Sequence, residues 1–156
     1  MLKLPANCEV LIVQSPYYPH ISKGLRDGAE AVLRQHGVYV RTIAVPGALE
    51  IPAAINMVHQ HFAARNESVF RGYIALGCVI RGETSHYDIV SQESASGLQQ
   101  IAIKHQLCIG NGILTVEDEA QAIVRSDPKQ LDKGGFAAQA CIEMMALKHQ
   151  LASGQM

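Results

Sequence analysis

The chain has 156 residues, which is the length of one ordinary domain that buries a single core. Apolar residues make up 48% and charged residues 17%, so the composition predicts a folded globular protein and excludes a disordered one. A formal net charge of −1 and the lack of any apolar run near the roughly 20 residues of a membrane helix argue against nucleic acid or a membrane as a partner.

In the first half of the chain, short apolar runs alternate with stretches of helical spacing. Residues 8–14 form a continuous apolar run and predict a strand, and residues 19–36 predict a helix that ends at Gly37. A second strand is predicted over residues 38–45 and a second helix over residues 48–64.

The same alternation continues through the middle of the chain. Residues 69–80 predict a third strand and residues 108–115 a fourth, interrupted by Gly110 and Gly112 where we expect another backbone to approach closely. Between these strands, residues 88–105 predict a helix whose inward face is Ile89, Val90, Gly97, Leu98, Ile101 and Ala102.

Two helices are predicted after the fourth strand. Thr115 is the expected cap of a helix over residues 117–125, with Asp118 as its capping-box partner. Pro128 breaks that helix. The last helix is predicted over residues 133–151, with an inward face of Phe136, Ala140, Met144 and Leu147.

Strands that are near-continuous apolar runs and alternate with helices are typical of a parallel sheet covered on both faces. With right-handed crossovers, the predicted fold is a flavodoxin-like α/β three-layer sandwich with a four-stranded parallel sheet. No linker or repeat divides the chain, so we expect a single domain over residues 1–156.

The cysteines and most of the histidines are predicted to be structural or solvent-facing. The four cysteines form no CxxC pair, which indicates buried thiols in a reducing, cytoplasmic compartment. Five histidines in or at the ends of helices lack carboxylates or cysteines at metal spacing, and we expect them to face solvent without a metal site: His36, His59, His61, His105 and His149.

In a parallel sheet, ligands bind at the carboxyl ends of the strands. The loops expected there are residues 15–19, 46–50, 81–86 and 115–117. In the third loop, glycine and hydroxyl side chains lead to His86 just before a helix, which is typical of an anion site beside a proton-transferring group. The alternative is a capped helix with a surface histidine.

Two further pairs of residues each allow a functional and a structural interpretation. Tyr17 and Tyr18 offer rings for stacking a flat ligand, or they simply pack their loop. Arg125 and Lys133 offer charges for a phosphate, or they are surface cations at helix ends.

Four segments together resemble the lumazine synthase family. Residues 45–52 read VPGALEIP and are similar to the family pattern VPGAxEIP, and residues 75–88, ALGCVIRGETSHYD, resemble ALGxVIRGxTxHxD. Residues 111–122, NGILTVEDEAQA, resemble GxLTxExxxQA, and residues 133–135 match the KG that opens the last helix. The motifs follow the family's order over nearly the whole chain.

The resemblance implies an enzyme that joins 5-amino-6-ribitylaminouracil to 3,4-dihydroxy-2-butanone 4-phosphate, releasing phosphate and water, with no cofactor. His86 would move protons. Tyr17 would stack on the pyrimidine, Glu83 and Thr84 would present N–H groups to the phosphate, and two triplets would hold the ribityl chain and the pyrimidine edge: Ala48, Leu49 and Glu50, then Cys78, Val79 and Ile80. Asn111, Arg125 and Lys133 would come from a neighbouring subunit, with Arg125 on the phosphate.

The resemblance also implies a homo-oligomer built from pentamers, with riboflavin synthase as a candidate further partner. The chain departs from the family pattern at Pro16, where an arginine is usual, and at Asn111, where many members have phenylalanine. Residues 126–132 replace a Gly/Asn-rich turn typical of shell-forming members. We therefore expect a pentamer or a pair of pentamers, not an icosahedral shell.

Two other functions compete with this interpretation. One is a flavin-binding or shell-forming protein without useful turnover, which would not need His86, Arg125 and Lys133 together. The other is an FMN-binding flavodoxin-like domain, which would need a hydroxyl- and glycine-rich phosphate loop after the first strand. Residues 15–19, SPYYP, do not form such a loop.

Overall fold

The computed structural model describes residues 2–154 and confirms the predicted alternation of strands and helices. The strands are β1 (Glu9–Gln14), β2 (Tyr39–Ala44), β3 (Phe70–Ile80) and β4 (Ile109–Val116). The helices are α1 (Pro19–Gln35), α2 (Ile51–Ala63), α3 (His86–His105), α4 (Glu119–Ser126) and α5 (Lys133–Ala152), and a short 3₁₀ turn, Ala48–Glu50, precedes α2. None of these helices is long and apolar enough to span a membrane.

The four strands form one parallel sheet in the order β2-β1-β3-β4, as predicted. The chain moves from β1 outward to β2, then returns past β1 to β3 and continues to β4. The strand order therefore reverses between β1 and β3, which is the topological switch point where open α/β sheets bind ligands.

Helices cover both faces of the sheet and create two apolar layers. On one face α1, α4 and α5 pack on the sheet, and the cluster between them includes Ile12, Ile74 and Ile142, all fully buried. On the other face α2 and α3 pack over a second cluster that includes Leu11, Ile55 and Leu98. The predicted three-layer, flavodoxin-like sandwich is confirmed.

The predicted inward face of α5 is wrong. Phe136, Met144 and Leu147 are 67%, 48% and 41% exposed, and Ala140 is exposed as well. The buried face instead carries mostly small residues: Gly134, Gly135, Ala137, Ala138, Cys141, Ile142, Met145 and Ala146. The helix is apolar on both faces, so its periodicity did not say which face meets the sheet.

Small residues face the sheet because the backbone of α5 lies very close to the backbone of β4. A Cβ atom at Gly110 would collide with the carbonyl group of Ala137, and one at Gly134 would collide with the carbonyl group of Leu25 in α1. The expectation that a backbone passes close to the glycines of β4 is thus confirmed.

Two helix starts differ from prediction. The helix α3 begins at His86, not residue 88, and Ile89, expected inward, is 53% exposed. Thr115 is not the cap of α4, because it is still paired with Val79 in the sheet. Asp118 is the cap: its carboxylate accepts a hydrogen bond from the backbone N–H of Gln121 at 2.9 Å.

Candidate functional site at the carboxyl end of the sheet

A cavity of about 370 Å³ opens at the carboxyl ends of β1 and β3, at the switch point of the sheet. Three loops and the start of α3 form its walls. The lining residues are Ser15, Tyr17, Tyr18, Gly47, Ala48, Leu49, Glu50, Cys78, Val79, Ile80, Gly82, Thr84, His86, Tyr87 and Val90.

The loops after β1 and β2 are tied to each other and to β3 by hydrogen bonds. The Ser15 hydroxyl donates to the carbonyl oxygen of Pro46 at 3.3 Å, and the Ser15 N–H donates to the carbonyl oxygen of Leu76 at 2.9 Å. Ser15 is itself buried. One small hydroxyl residue therefore fixes the relative positions of three of the cavity's walls.

The two tyrosines after β1 play different structural parts. Tyr17 is 71% exposed, and its ring meets that of Tyr18 edge-on with centroids 5.1 Å apart. Tyr18 packs against the α1/α5 core, and its burial raises the pKa of its phenol. The face of the Tyr17 ring is free in this chain to stack on a flat ligand.

The last residues of β3 give the cavity an apolar wall. Burial raises the pKa of the Cys78 thiol to about 11, so the thiol stays protonated at neutral pH. A protonated thiol is a weak nucleophile, which leaves Cys78 a small apolar contact surface.

The loop between β3 and α3 places hydroxyl, amide and imidazole groups at one helix N-terminus. The Thr84 hydroxyl accepts a hydrogen bond from the His86 backbone N–H at 3.3 Å, and both residues line the cavity. His86 is the first residue of α3 and is exposed. Unsatisfied N–H groups at a helix N-terminus attract anions, and the imidazole beside them can give or take a proton.

Arg81 holds this loop against the loop that follows β4. Its Nε donates to Glu117 at 2.9 Å, its Nη1 lies 3.4 Å from a carboxylate oxygen of Asp88, and its guanidinium carbon lies 4.1 Å from the centre of the Tyr87 ring. The hydrogen bond and charge of Glu117, then the charge of Asp88, raise the pKa of Arg81 above its ordinary value.

Four of the predicted site residues do not line the cavity. Asn111 lies on the edge strand β4, where its Oδ1 accepts from the N–H of Ile113 at 3.0 Å. Arg125, at the end of α4, donates to the carbonyl oxygen of Gln121 at 3.1 Å, and the Lys133 ammonium lies 4.7 Å from the centre of the Phe136 ring. The fourth, Glu83, is exposed in the β3–α3 loop.

Several cavity residues were not predicted individually. Ser15, Gly47 and Gly82 belong to loops that the sequence marked as ligand loops, but nothing in their residue types distinguishes them from ordinary turn residues. Tyr87 lies on α3, before the predicted start of that helix. Val90 was predicted as an inward residue of the helix but not as part of a ligand site. His20, just after the first loop, is not part of the cavity lining. Its Nε2 lies 2.9 Å from a carboxylate oxygen of Glu119.

Taken together, the cavity offers an exposed aromatic ring, an apolar strand end, a helix N-terminus and one imidazole. Such a set can bind a flat polar heterocycle and an anionic group side by side. Within residues 2–154, no three His, Cys, Asp or Glu side chains converge as metal ligands.

Comparisons with known proteins point to one family. Residues 7–149 match the family model described as 6,7-dimethyl-8-ribityllumazine synthase. The chain is 48% identical to the 6,7-dimethyl-8-ribityllumazine synthase of Bartonella bacilliformis over 98% of both chains. It is 49% identical to the protein of that name from Novosphingobium aromaticivorans, over 90% of this chain and 96% of the relative. A third relative, 6,7-dimethyl-8-ribityllumazine synthase 1 of Mesorhizobium japonicum, is 43% identical over 95% and 90%.

Proposed function

The chain belongs to the 6,7-dimethyl-8-ribityllumazine synthase family, and on that premise we propose that it makes this lumazine for riboflavin biosynthesis. The substrates we propose are 5-amino-6-ribitylaminouracil and 3,4-dihydroxy-2-butanone 4-phosphate. Phosphate and water leave. The unit that acts is a single domain over residues 1–156, working in the cytoplasm.

The observation that carries the proposal is the cavity at the switch point. It gathers Tyr17, residues 48–50, and residues 78–80 with Thr84 and His86, which come from three separate stretches of the chain. A cavity of about 370 Å³ falls within the roughly 300–1,000 Å³ of small-molecule sites.

Each wall suits one part of the proposed substrates. The exposed ring of Tyr17 stacks on the pyrimidine, the 3₁₀ turn at residues 48–50 faces the ribityl chain, and the protonated Cys78 contacts the pyrimidine edge with Val79 and Ile80. The N–H groups of Glu83 and Thr84, just before α3, receive the phosphate at the positive end of that helix.

His86 carries the proton transfers. Condensation of the amine with the ketone requires a proton to reach the departing hydroxyl as the imine forms, and loss of phosphate requires removal of a proton from carbon. One imidazole can do both in turn, because its ring nitrogens can both donate and accept a proton. No step transfers electrons to or from a carrier, so the reaction needs no redox cofactor. Holding the two substrates together supplies much of the remaining acceleration.

We further propose that the active site is shared between subunits of a pentamer. Arg125 and Lys133 do not line this chain's cavity, and both neighbour exposed apolar side chains. The uncovered side chains of α4 and α5 suit burial against a second copy: Ile123, Val124, Phe136, Met144, Leu147 and Leu151. Head-to-tail contacts of this kind close into rings and bring one subunit's residues to the next subunit's cavity.

The turn before α5 supports a free pentamer or a pair of pentamers over a shell. The Asp127 carboxylate accepts from the Lys129 N–H at 2.8 Å, its carbonyl oxygen accepts from the Gln130 and Asp132 N–H groups, and Pro128 fixes a backbone angle. A stiff turn aims α5 in one direction. Analytical ultracentrifugation tests this: a particle of about sixty subunits would refute it.

The deciding experiment for the reaction is an assay with both substrates, following lumazine absorbance and phosphate release together. We expect one phosphate per lumazine formed. A protein that binds flavin tightly but releases no phosphate would instead have kept the fold and lost the reaction.

A mixing experiment tests the shared site. Tyr17→Ala and Arg125→Ala subunits, each weakly active alone, are unfolded and reassembled together in equal amounts. Random mixing in closed rings restores both halves of the site at about a quarter of the interfaces. We expect activity to recover to that extent, and no recovery in verified mixed rings would mean that each subunit carries its own complete site.

A further inference from the structure

The amino end of the sheet carries a second cavity, of about 220 Å³, that shares no residue with the first. Histidines and cations from four elements line it: His59 on α2, Arg71 on β3, His105 at the end of α3, and Lys148 and His149 on α5. Glu67 is the one carboxylate in the lining, and no ion pair described in residues 2–154 joins it to these groups. The cavity is therefore richer in positive and titratable groups than in negative ones.

Two of the histidines lie against each other and beside an ammonium group. The His59 and His105 rings are 5.0 Å apart between centroids, and the Lys148 ammonium is held nearby by donating to the carbonyl oxygen of Gln106 at 2.6 Å. His59 was expected to face solvent, but it is half-buried and its ring meets Tyr73 edge-on. Burial lowers the pKa of His59, and the charges of His105 and Lys148 lower it further.

We propose that this cavity is a binding site for a small oxyanion, taken up together with protons on His59 and His105. Without an anion, two imidazolium groups at this distance repel each other and the ammonium of Lys148. A doubly charged oxyanion at the edges of both rings replaces that repulsion with attraction. It accepts charge-assisted hydrogen bonds from both rings, and Lys148 and Arg71 lie in the same wall.

The size and charge of the cavity favour this ligand class over a metal ion. One water takes up about 30 Å³, so the cavity has room for a tetrahedral oxyanion and part of its hydration shell. The cations in the wall would repel a metal ion. All titratable groups in the lining enter the balance. Glu67 opposes anion binding, whereas Arg71, His105, Lys148 and His149 favour it. Burial raises the pKa values of Tyr73 and Cys108, so these two groups stay uncharged.

Sulfate is the probe for the test, because its charge does not change between pH 5.5 and pH 8. Calorimetry on the assembled protein at both pH values, each in two buffers of different ionisation enthalpy, measures affinity and proton uptake. We expect sulfate to bind at least tenfold more tightly at pH 5.5, with at least one proton taken up per sulfate. Equal affinity at both pH values, or no proton uptake, would overturn the proposal.

Three variants test which residues produce the pH-dependent binding of sulfate. The double substitution His59→Gln/His105→Gln should abolish the pH dependence and the proton uptake, and Lys148→Gln should weaken binding severalfold while proton uptake persists. His36→Gln, a substitution at the end of α1 outside the cavity, is the matched control and should behave as the unmodified protein.

The first cavity also attracts anions, so His86→Gln separates the two sites. The proton-linked binding should survive in His86→Gln. If His86→Gln removes it and the double substitution does not, the linked anion lies at the carboxyl end and the proposal fails, whereas the proposed reaction does not depend on either result. If the double variant does not fold, Lys148→Gln alone decides: unchanged affinity would contradict the site.

Discussion

The residues proposed for the active site fall into two groups that the fold treats differently. One group lies at the ends of β1, β2 and β3 and, apart from Glu83, lines a single cavity. Ser15 joins walls of this cavity, and Arg81 joins the loop after β3 to the loop after β4. The other group, Asn111, Arg125 and Lys133, lies on β4, α4 and α5 outside that cavity. The side chain of each member interacts with a residue of its own segment. The first group is organised by one chain, whereas the second requires the neighbouring copy that we propose.

The difference separates the part of the site that one chain positions from the part that depends on the proposed assembly. Loops at the switch point of a parallel sheet meet because the strand order brings them together. No comparable rule brings the ends of α4 and α5 to the cavity. Under the proposed shared site, their exposed apolar neighbours would direct them toward another subunit. Substitutions in the two groups should therefore have different signatures.

The largest effect is expected at His86. His86→Ala should slow turnover by roughly 10- to 1000-fold in a protein that stays folded, because general acid–base help contributes about 10²–10⁴-fold and the positioning of the substrates survives. Steady-state lumazine formation measures the loss, and circular dichroism checks the fold. Unchanged turnover would remove His86 from the mechanism.

The second-largest effect is expected at Arg125, which belongs to the group outside the cavity. Arg125→Ala should raise the KM for the phosphorylated ketone by roughly 10- to 150-fold, since a lost charge-assisted hydrogen bond costs about 1.5–3 kcal/mol. The KM for the pyrimidine should change far less. Arg34→Ala, an exposed arginine in the last turn of α1, is the matched control. Equal effects on both substrates would contradict a phosphate contact.

The third prediction separates the two groups by preventing the proposed assembly. Phe136→Ser with Met144→Ser should leave the subunit folded, because both side chains are exposed in the single chain. Association should weaken and activity should fall about tenfold or more at concentrations where sedimentation shows free subunits, since only the second group is then lost. A dissociated protein with full activity would mean that the cavity is complete on its own.

A smaller effect is expected from Arg81, which acts through other residues. Arg81→Ala should lower the turnover number severalfold and leave both KM values nearly unchanged if the loop carrying His86 loses its alignment. Arg81→Lys keeps a charge near Glu117 and Asp88 but lacks the planar group that reaches both carboxylates, so it should restore part of the activity. A merely structural role would instead lower thermal stability and activity together.

The smallest effect concerns Cys78. Its thiol is protonated up to about pH 11, so Cys78→Ser should leave the shape of the pH–rate profile between pH 6 and pH 9 unchanged. We expect a change in KM of a few fold from the altered contact surface, within roughly 1 kcal/mol. An inflection near pH 8 that disappears in the variant would show that the thiol takes part in the chemistry.

Most of the fold and the first group were predictable from the sequence for local reasons. Apolar runs and helical spacing located all four strands and five helices, because the period of burial differs between the two structures. The order of these elements then specified a parallel sheet and placed the ligand loops at its carboxyl end. Most residues of the cavity lie in segments that resemble the family, so His86 was proposed for the site before any geometry was known.

Only the tertiary structure decided which surfaces meet. The helix α5 carries apolar residues on both faces, and the large ones were the expected choice for the core. The backbone of β4 lies so close at Gly110, however, that only the small-residue face fits. Likewise, His59 and His105 belong to separate helices with no shared pattern, and packing alone sets their rings 5.0 Å apart. Periodicity reports that a face is apolar, but close packing between distant segments selects the face that is buried.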